Sequence, residues 1–500
     1  MPDSNEKYLI LLDTDKIHDY VFATNKLKEI TGASALIDEL VLHEIPSCTE
    51  SFKFQVIFSN GGTSLIRAAN TSDDEVERFI NQIKNKFYEL TETGTITCVW
   101  ASYNAREFTE VRDELYRKLK DKKLSNDKIH DLISSPFLKF CTHCGIRKAE
   151  KDYESNTFIC PSCLKKILEG EKEKKTKYNI RSVTKGRRSI YSYFFEKDGN
   201  AAFPKDLSEI GAASTPSNYI GFIYADGNQV GEKLKQIKSE NEYRRFSDML
   251  DRTTKESAVE TAMECFGSSN KYPMEFILAG GDDLIMVVPG NMALPVAVKF
   301  CDKFQDKSRN DKDPNDITTS VGLVISHSTY PVKSLLRLSE SLLKAAKEKG
   351  WKEKTGTQSD SMINFMIVKG SMLRPNAWKE DYIYKSYEGT KMNLTLKPYR
   401  TDEIKRLLSF IQSLKRAGMP GSKLKVIREI LLKDKAQSVL EFCQLLSRLK
   451  GNGDVLDVIF SIDKDFNLDF MPWKKEGSEF YTPFLDIVEL YDFISPEVKI

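Results

Sequence analysis

Phe276-Ile277-Leu278-Ala279-Gly280-Gly281-Asp282-Asp283-Leu284-Ile285-Met286-Val287-Val288 is the stretch on which the reading of this chain turns. Two apolar, strand-like runs flank two glycines and two adjacent acids. That pattern is a β-hairpin, with glycine supplying the positive φ of a tight turn. Adjacent carboxylates between buried flanks need a compensating positive charge. A divalent cation such as Mg²⁺ provides it, and Mg²⁺ prefers a few carboxylates together with substrate phosphates. The plainer alternative is a solvated acidic turn.

A second acid-tipped strand lies upstream. Tyr219-Ile220-Gly221-Phe222-Ile223-Tyr224-Ala225-Asp226-Gly227-Asn228 is an apolar run that ends in a carboxylate. Placed beside the hairpin in one sheet, it brings Asp226, Asp282 and Asp283 to the same end. Two Mg²⁺ or Mn²⁺ ions bridged by these groups would activate a sugar 3′-hydroxyl and hold a triphosphate. Gly280 and Gly281 let phosphates approach the backbone, and Gly227 does the same while offering its carbonyl as a ligand.

The pattern is duplicated. Tyr8-Leu9-Ile10-Leu11-Leu12-Asp13-Thr14-Asp15 is again a strand ending in acids, followed by helical sequence over 16–42, a strand over 52–58, a Gly61-Gly62 turn and a return strand over 64–67. The acid-to-glycine spacing is 61 − 13 = 48 in the first copy and 280 − 226 = 54 in the second. Repetition of one α/β unit is the simplest account. Thr63 and Ser64 stand where the second copy has Asp282 and Asp283, so one copy would work and the other would support it.

With 500 residues the chain has material for several domains. Its formal charge of +2 excludes a globally basic nucleic-acid binder. The sequence has neither a signal peptide nor an 18-residue apolar span, which suits the cytoplasm. Nine cysteines fit a reducing compartment. Four of them, Cys141, Cys144, Cys160 and Cys163, form two Cys-x₂-Cys knuckles, the spacing of a closed structural Zn²⁺ site. A redox disulfide pair is the weaker alternative, and His143 inside the first knuckle reads as a bystander. Cys48, Cys98, Cys265, Cys301 and Cys443 read as core fillers. Lys174 to Arg188 is locally basic but interleaved with glutamates upstream, so it suits either RNA contact or a solvated helix.

Gly280-Gly281-Asp282-Asp283, preceded by Ala225-Asp226-Gly227-Asn228, resembles the palm of polymerase-type nucleotidyl cyclases. The chain order is similar to the large subunit of type III CRISPR effector complexes, and Asp13-Thr14-Asp15-Lys16-Ile17-His18-Asp19-Tyr20-Val21-Phe22 resembles that family's first-palm signature. The resemblance is to a form lacking an HD nuclease domain, since His18-Asp19 and His130-Asp131 have no further ligands, and the form is short enough to act alone. It implies an α+β fold: a degenerate ferredoxin-like palm over 1–125, a zinc-binding element and basic linker over 126–190, a catalytic palm over 191–375 and a C-terminal helical domain over 376–500. It also implies that ATP is turned into cyclic oligoadenylate in antiviral defence, with Asp226, Asp282 and Asp283 on the metals. Asn228 stands where relatives often carry a second acid and would tune the nucleotide site. Lys347, near the end of a helix over 334–349 stopped by Gly350, is similar to a diguanylate cyclase lysine that reaches the triphosphate. ATP or another nucleoside triphosphate, guide or target RNA and small helical subunits are the implied partners, with a homodimer as a further arrangement. Two rival functions are an RNA- or protein-binding scaffold with a silent palm and a guide-independent cyclic dinucleotide synthase.

Overall fold

The unbroken apolar run Tyr8-Leu9-Ile10-Leu11-Leu12 sets the first sheet. In the computed structural model, which describes residues 6–104, 106–125, 139–154, 157–172, 174–177, 188–267, 271–310, 316–353, 359–370, 383–385, 389–449 and 453–497, these residues lie in β1 (Glu6–Thr14). Tyr8, Ile10 and Leu12 face the main core, while Leu9 and Leu11 face a smaller cluster on the opposite side. After β1 come α1 (Ile17–Val21), α2 (Leu27–Glu39) and α3 (Ile45–Ser51), with a π-helical turn over Leu40–Glu44. The sequence suggested one helix over 16–42. The chain instead breaks at Lys16, whose φ is 49°, and again after Val21. The copy is completed by β2 (Gln55–Asn60), β3 (Thr63–Thr71), α4 (Asp73–Thr91), β4 (Ile96–Ser102) and α5 (Phe108–Ser125). Acids Asp73, Asp74 and Glu75 fill the first turn of α4, where the helix dipole favours them, and Val76, Phe79, Ile80, Ile83 and Phe87 form its buried stripe. The sheet order is β2-β3-β1-β4 with antiparallel neighbours, the ferredoxin-like order.

The cysteine element follows as β5 (Lys151–Glu154), β6 (Thr157–Ile159), α6 (Pro161–Glu171) and α7 (Lys174–Lys177). Helix α6 crosses α2 backbone to backbone. A Cβ on Gly32 would run into the Lys166 carbonyl and come within 2.8 Å of Gly170 N. The buried Lys166 ammonium donates to the Tyr20 carbonyl and lies 3.9 Å from the centre of the Tyr20 ring.

The second copy begins after α8 (Ile190–Lys197) and α9 (Leu207–Ala212). It runs β7 (Tyr219–Gly227), α10 (Val230–Gln236), α11 (Glu240–Phe266), β8 (Glu275–Gly280), β9 (Asp283–Pro289), α12 (Ala293–Arg309), β10 (Thr319–His327), α13 (Val332–Lys352) and β11 (Met362–Ile367). Its core order β10-β7-β9-β8 repeats that of the first sheet, which bears out the duplication. Helix α13 continues through Gly350 to Lys352, because Gly350 packs against Ser359 and Met362 and does not turn the chain.

The remainder is helical, but not wholly so. Two short strands, β12 (Ile383–Lys385) and β13 (Lys391–Asn393), precede β14 (Tyr399–Arg400), which joins the second palm's sheet beside β11. Helices α14 (Thr401–Arg416), α15 (Gly421–Leu431), α16 (Lys435–Arg448) and α17 (Gly453–Phe466) lead to β15 (Lys474–Glu476), β16 (Glu479–Tyr481) and α18 (Phe484–Leu490). Strands β12, β13, β16 and β15 form a small separate sheet. Cys48, Cys98 and Cys301 are buried as fillers, but Cys443 is exposed on the outer face of α16 and is no core residue.

The tight α2–α6 crossing makes Gly32 sensitive to size. Gly32→Val is expected to destabilise the fold by about 1–3 kcal/mol, read as a lower thermal midpoint, whereas substitution at the uncrowded Gly231 leaves the midpoint unchanged.

Candidate active site

Strand β7 lies between β10 and β9. Its ladder with β9 ends at Ala225–Leu284, so the next residues, Asp226 and Asp283, face each other across the strand ends. Gly281 and Asp282 form the two-residue turn between Gly280 and Asp283, with Gly281 at φ 63°. The register of the first copy is the same: Asp13 pairs with Thr63 and Asn60 pairs with Thr63 across the turn. Gly62 and Thr63 therefore occupy the places of Asp282 and Asp283, one residue earlier than spacing alone suggested. A count of residues cannot fix register, whereas the ladder does.

The three carboxylates are close enough to perturb one another. Burial first, then the charges of Asp226 and Asp283, push Asp282 well above the ordinary carboxylate range. Burial and Asp226 push Asp283 up to about 7. Burial and the four acids Asp283, Asp226, Glu340 and Asp282 also raise the Tyr224 hydroxyl. Lys347, projecting from α13, answers this negative charge. Its ammonium is ion-paired with Asp226 Oδ2 and donates to the Gly227 carbonyl at 2.9 Å. With the lysine so placed, the aspartates do not draw as close together as the four cysteine thiols do. A cavity of about 450 Å³ opens beside them, lined by Asp226, Gly227, Asp282, Lys347, Trp351 and the exposed Lys235.

The turn is held from two sides. Helix α11 grips it through Asp251 and Thr254, whose spacing puts both on one helix face. Gly281 N–H donates to Asp251 Oδ1 at 3.1 Å, and Thr254 Oγ1 donates to the Gly281 carbonyl at 2.7 Å. Lys255 fixes Asp251 at 2.7 Å. From the other side comes the first palm's own glycine turn. A Cβ on Gly280 would lie 2.9 Å from both Cα and N of Gly61. The close approach that Gly280 permits is thus made by another backbone. Asn228 is turned inward: its Nδ2 donates to Thr318 Oγ1 at 2.8 Å and its Oδ1 accepts from Ser320 Oγ at 2.9 Å. His18 also reaches across from the first palm, 3.0 Å from Glu340 Oε1 and edge-on to the Tyr224 ring.

The first palm has a parallel cluster that the sequence reading missed. Lys123, at the end of α5, is ion-paired with Asp13 and lies 3.4 Å from Asp15 Oδ1. Thr63 Oγ1 donates to Asp13 at 2.5 Å and Thr97 Oγ1 to Asp15 at 2.7 Å. The signal was available, since α5 and α13 each follow the last strand of a repeat and end in lysines.

Cys141, Cys144, Cys160 and Cys163 present thiols within 4.8 Å of one another, and among the described residues this is the one such group. Four thiolates suit Zn²⁺ and leave no open coordination position. His143 stays outside the thiol group. Lys26 Nζ meets its Nε2 at 3.2 Å, which leaves the Nδ1–H to donate to Glu29 at 2.7 Å and tie the knuckle to α2. Lys174 is committed to the interior, paired with the buried Glu275 at the foot of β8. Residues 178–187 and the His130-Asp131 pair lie outside the described residues.

Residues 219–356 match the family model for the second palm domain of Cas10/Cmr2. No curated protein matches the chain by sequence. Among solved structures, Csm1 of T. onnurineus superposes with a TM-score of 0.61 at 16% identity, covering 98% of this chain and 69% of that one. A Csm1–Csm4 cassette in complex with cA4 gives 0.58 at 16% identity, covering 93% and 70%. A Csm1–Csm4 subcomplex of the type III-A CRISPR-Csm interference complex gives 0.55 at 17%, covering 92% and 70%. At these identities the likeness is one of fold. Among the described residues no helix is long and apolar enough to cross a membrane.

Two predictions follow from this geometry. Elemental analysis of the purified chain is expected to find one zinc per molecule, and Cys160→Ser to lose it with a clear fall in thermal midpoint. The second concerns Asp38, at the palm–palm seam near Lys255 and Asp251, where burial pushes its carboxyl from 3.8 up to about 7. An acid raised on folding binds its proton more tightly in the folded state. Its contribution to stability is fully present below the unfolded value and is lost as pH rises toward 7. Asp38→Asn should therefore raise the midpoint relative to wild type at pH 8, with the gain shrinking toward pH 4.

Proposed function

Because residues 219–356 match the family model for the second palm domain of Cas10/Cmr2, we propose that the chain is a metal-dependent nucleotidyltransferase that converts ATP into a cyclic oligoadenylate-type product. The observation that carries this reading is the convergence of Asp226, Asp282 and Asp283 on one end of the sheet, with burial and mutual repulsion raising the two turn acids. Such a cluster gains most from added positive charge. Asp226, Asp282, Asp283 and the Gly227 carbonyl would hold two Mg²⁺ or Mn²⁺ ions. When bound, these ions supply charge to activate a 3′-hydroxyl and to stabilise the leaving pyrophosphate. The 3′ oxygen bonds to the α-phosphorus as the bond to pyrophosphate breaks. The protein contributes position and water exclusion, with Gly281 and Lys347 on the nucleotide side and Asn228 bracing the strand end from within. Adenine is favoured by the solved Csm1–Csm4 cassette in complex with cA4. Because the first palm keeps Asp13 but has Gly62 and Thr63 opposite it, catalysis is assigned to the second palm alone.

A scaffold role with a silent palm is the second reading. The likeness to Csm1 within a Csm1–Csm4 subcomplex favours it, with the tail helices docking a smaller subunit. A guide-independent cyclic dinucleotide synthase is the third, and constitutive activity of the isolated chain would single it out.

Incubation with labelled ATP and Mn²⁺, with and without candidate RNA activators, followed by mass spectrometry of the products, tests these readings. Product is expected from wild type and none from the Asp282→Ala/Asp283→Ala double variant, a loss of at least about a thousandfold, at unchanged thermal midpoint. Equal product from both proteins would refute the assignment.

A further inference from the structure

Lys347 is placed where a cation ligand set would be. Its ammonium bonds Asp226 Oδ2 and the Gly227 carbonyl, two of the oxygens assigned above to the divalent ions. The same arrangement occurs in the first palm. Lys123 arrives from the end of α5 onto Asp13 and Asp15, although no second pair of acids stands opposite. Two lysines, on equivalent helices and 224 residues apart by 347 − 123, thus neutralise equivalent strand-end acids. Recurrence at both places marks the lysine as a feature of the repeat.

Resting on the metal-site reading above, we propose that Lys347 is a displaceable internal cation at Asp226 and Gly227. Divalent metal must evict it, and an incoming triphosphate receives it, so that metal and nucleotide bind cooperatively. In the first palm Lys123 is the permanent version of the same device. There Thr63 donates to Asp13 and Thr97 to Asp15, so that acid pair is satisfied without metal.

The side chain has the freedom this requires. It is about one-third exposed, at 32%, and sits on the wall between two cavities. One holds Asp226 and Asp282; the other is lined by Asn228, Gln229, Trp351 and Ser359. A lysine stem is flexible and its ammonium is a compact donor, so a swing from carboxylate to phosphate exchanges one anion for another. Linkage then requires reciprocity: whatever factor the nucleotide adds to metal affinity, the metal adds to nucleotide affinity.

The experiment uses the full chain with its zinc in place. Free Mn²⁺ is followed by electron paramagnetic resonance as protein is titrated without nucleotide. Lys347→Met is expected to bind Mn²⁺ about threefold to tenfold more tightly than wild type. Lys235→Met removes an equal charge from the same cavity and is expected to change affinity less than about twofold. A second arm measures binding of α,β-methylene-ATP with and without Mn²⁺. The enhancement by metal seen for wild type should shrink in Lys347→Met. Equal or weaker Mn²⁺ binding by Lys347→Met overturns the proposal, and so does an equal gain from Lys235→Met. Failure of the underlying site shows differently: the Asp282→Ala/Asp283→Ala variant would then bind Mn²⁺ as wild type does, or no variant would bind it.

Discussion

The contact on which this molecule depends is the meeting of two glycine turns, Gly61 of one palm and Gly280 of the other, backbone against backbone. A side chain at Gly280 would push into the Gly61 backbone, and one at Gly61 would crowd the Gly280 carbonyl at 3.2 Å. With the turns abutting, the seam closes on both flanks. His18 reaches Glu340 and the Tyr224 ring on one side, and Asp38 lies near Lys255 on the other. The acid-bearing turn is therefore gripped between α11 and the first palm, and it does not wave at the end of a free hairpin. A palm without acids in its turn still sets where its neighbour's acids stand.

The two copies also show how few changes separate a charged site from a satisfied one. Both keep the strand-end aspartate, the two-residue turn and the lysine from the final helix. Glycine and threonine replace aspartates in the first copy. The threonine hydroxyl donates where a carboxylate would repel, and the cluster becomes an ordinary half-buried polar network. In the second copy repulsion persists, and the raised acids record it.

Much of this was legible in the sequence where apolar runs are long and punctuated. Strand β7 falls on the apolar run 219–227, and the Gly280-Gly281-Asp282-Asp283 hairpin forms as its glycines demand. What escaped depends on tertiary partners. The one-residue offset between copies needs hydrogen-bond register. The breaks at Lys16 and after Val21 come from packing on the second palm. Strands β15 (Lys474-Lys475-Glu476) and β16 (Glu479-Phe480-Tyr481) are three residues each, too short for an alternation to read. His143 carried no visible purpose until Glu29 was found beside it, 114 residues away in sequence.

Strand β14 is only two residues long, Tyr399–Arg400, and it pairs with Met362 and Ile363 at the start of β11, whose six residues Met362–Ile367 are all buried. The expected boundary after residue 375 therefore separates two strands of one sheet, β11 and β14. Cleaving the chain there would leave β11 with a bare row of amide and carbonyl groups beside an apolar face, a template for pairing with other chains. The C-terminal part thus supplies the edge of the second palm's sheet, and the two are better handled as one expression unit.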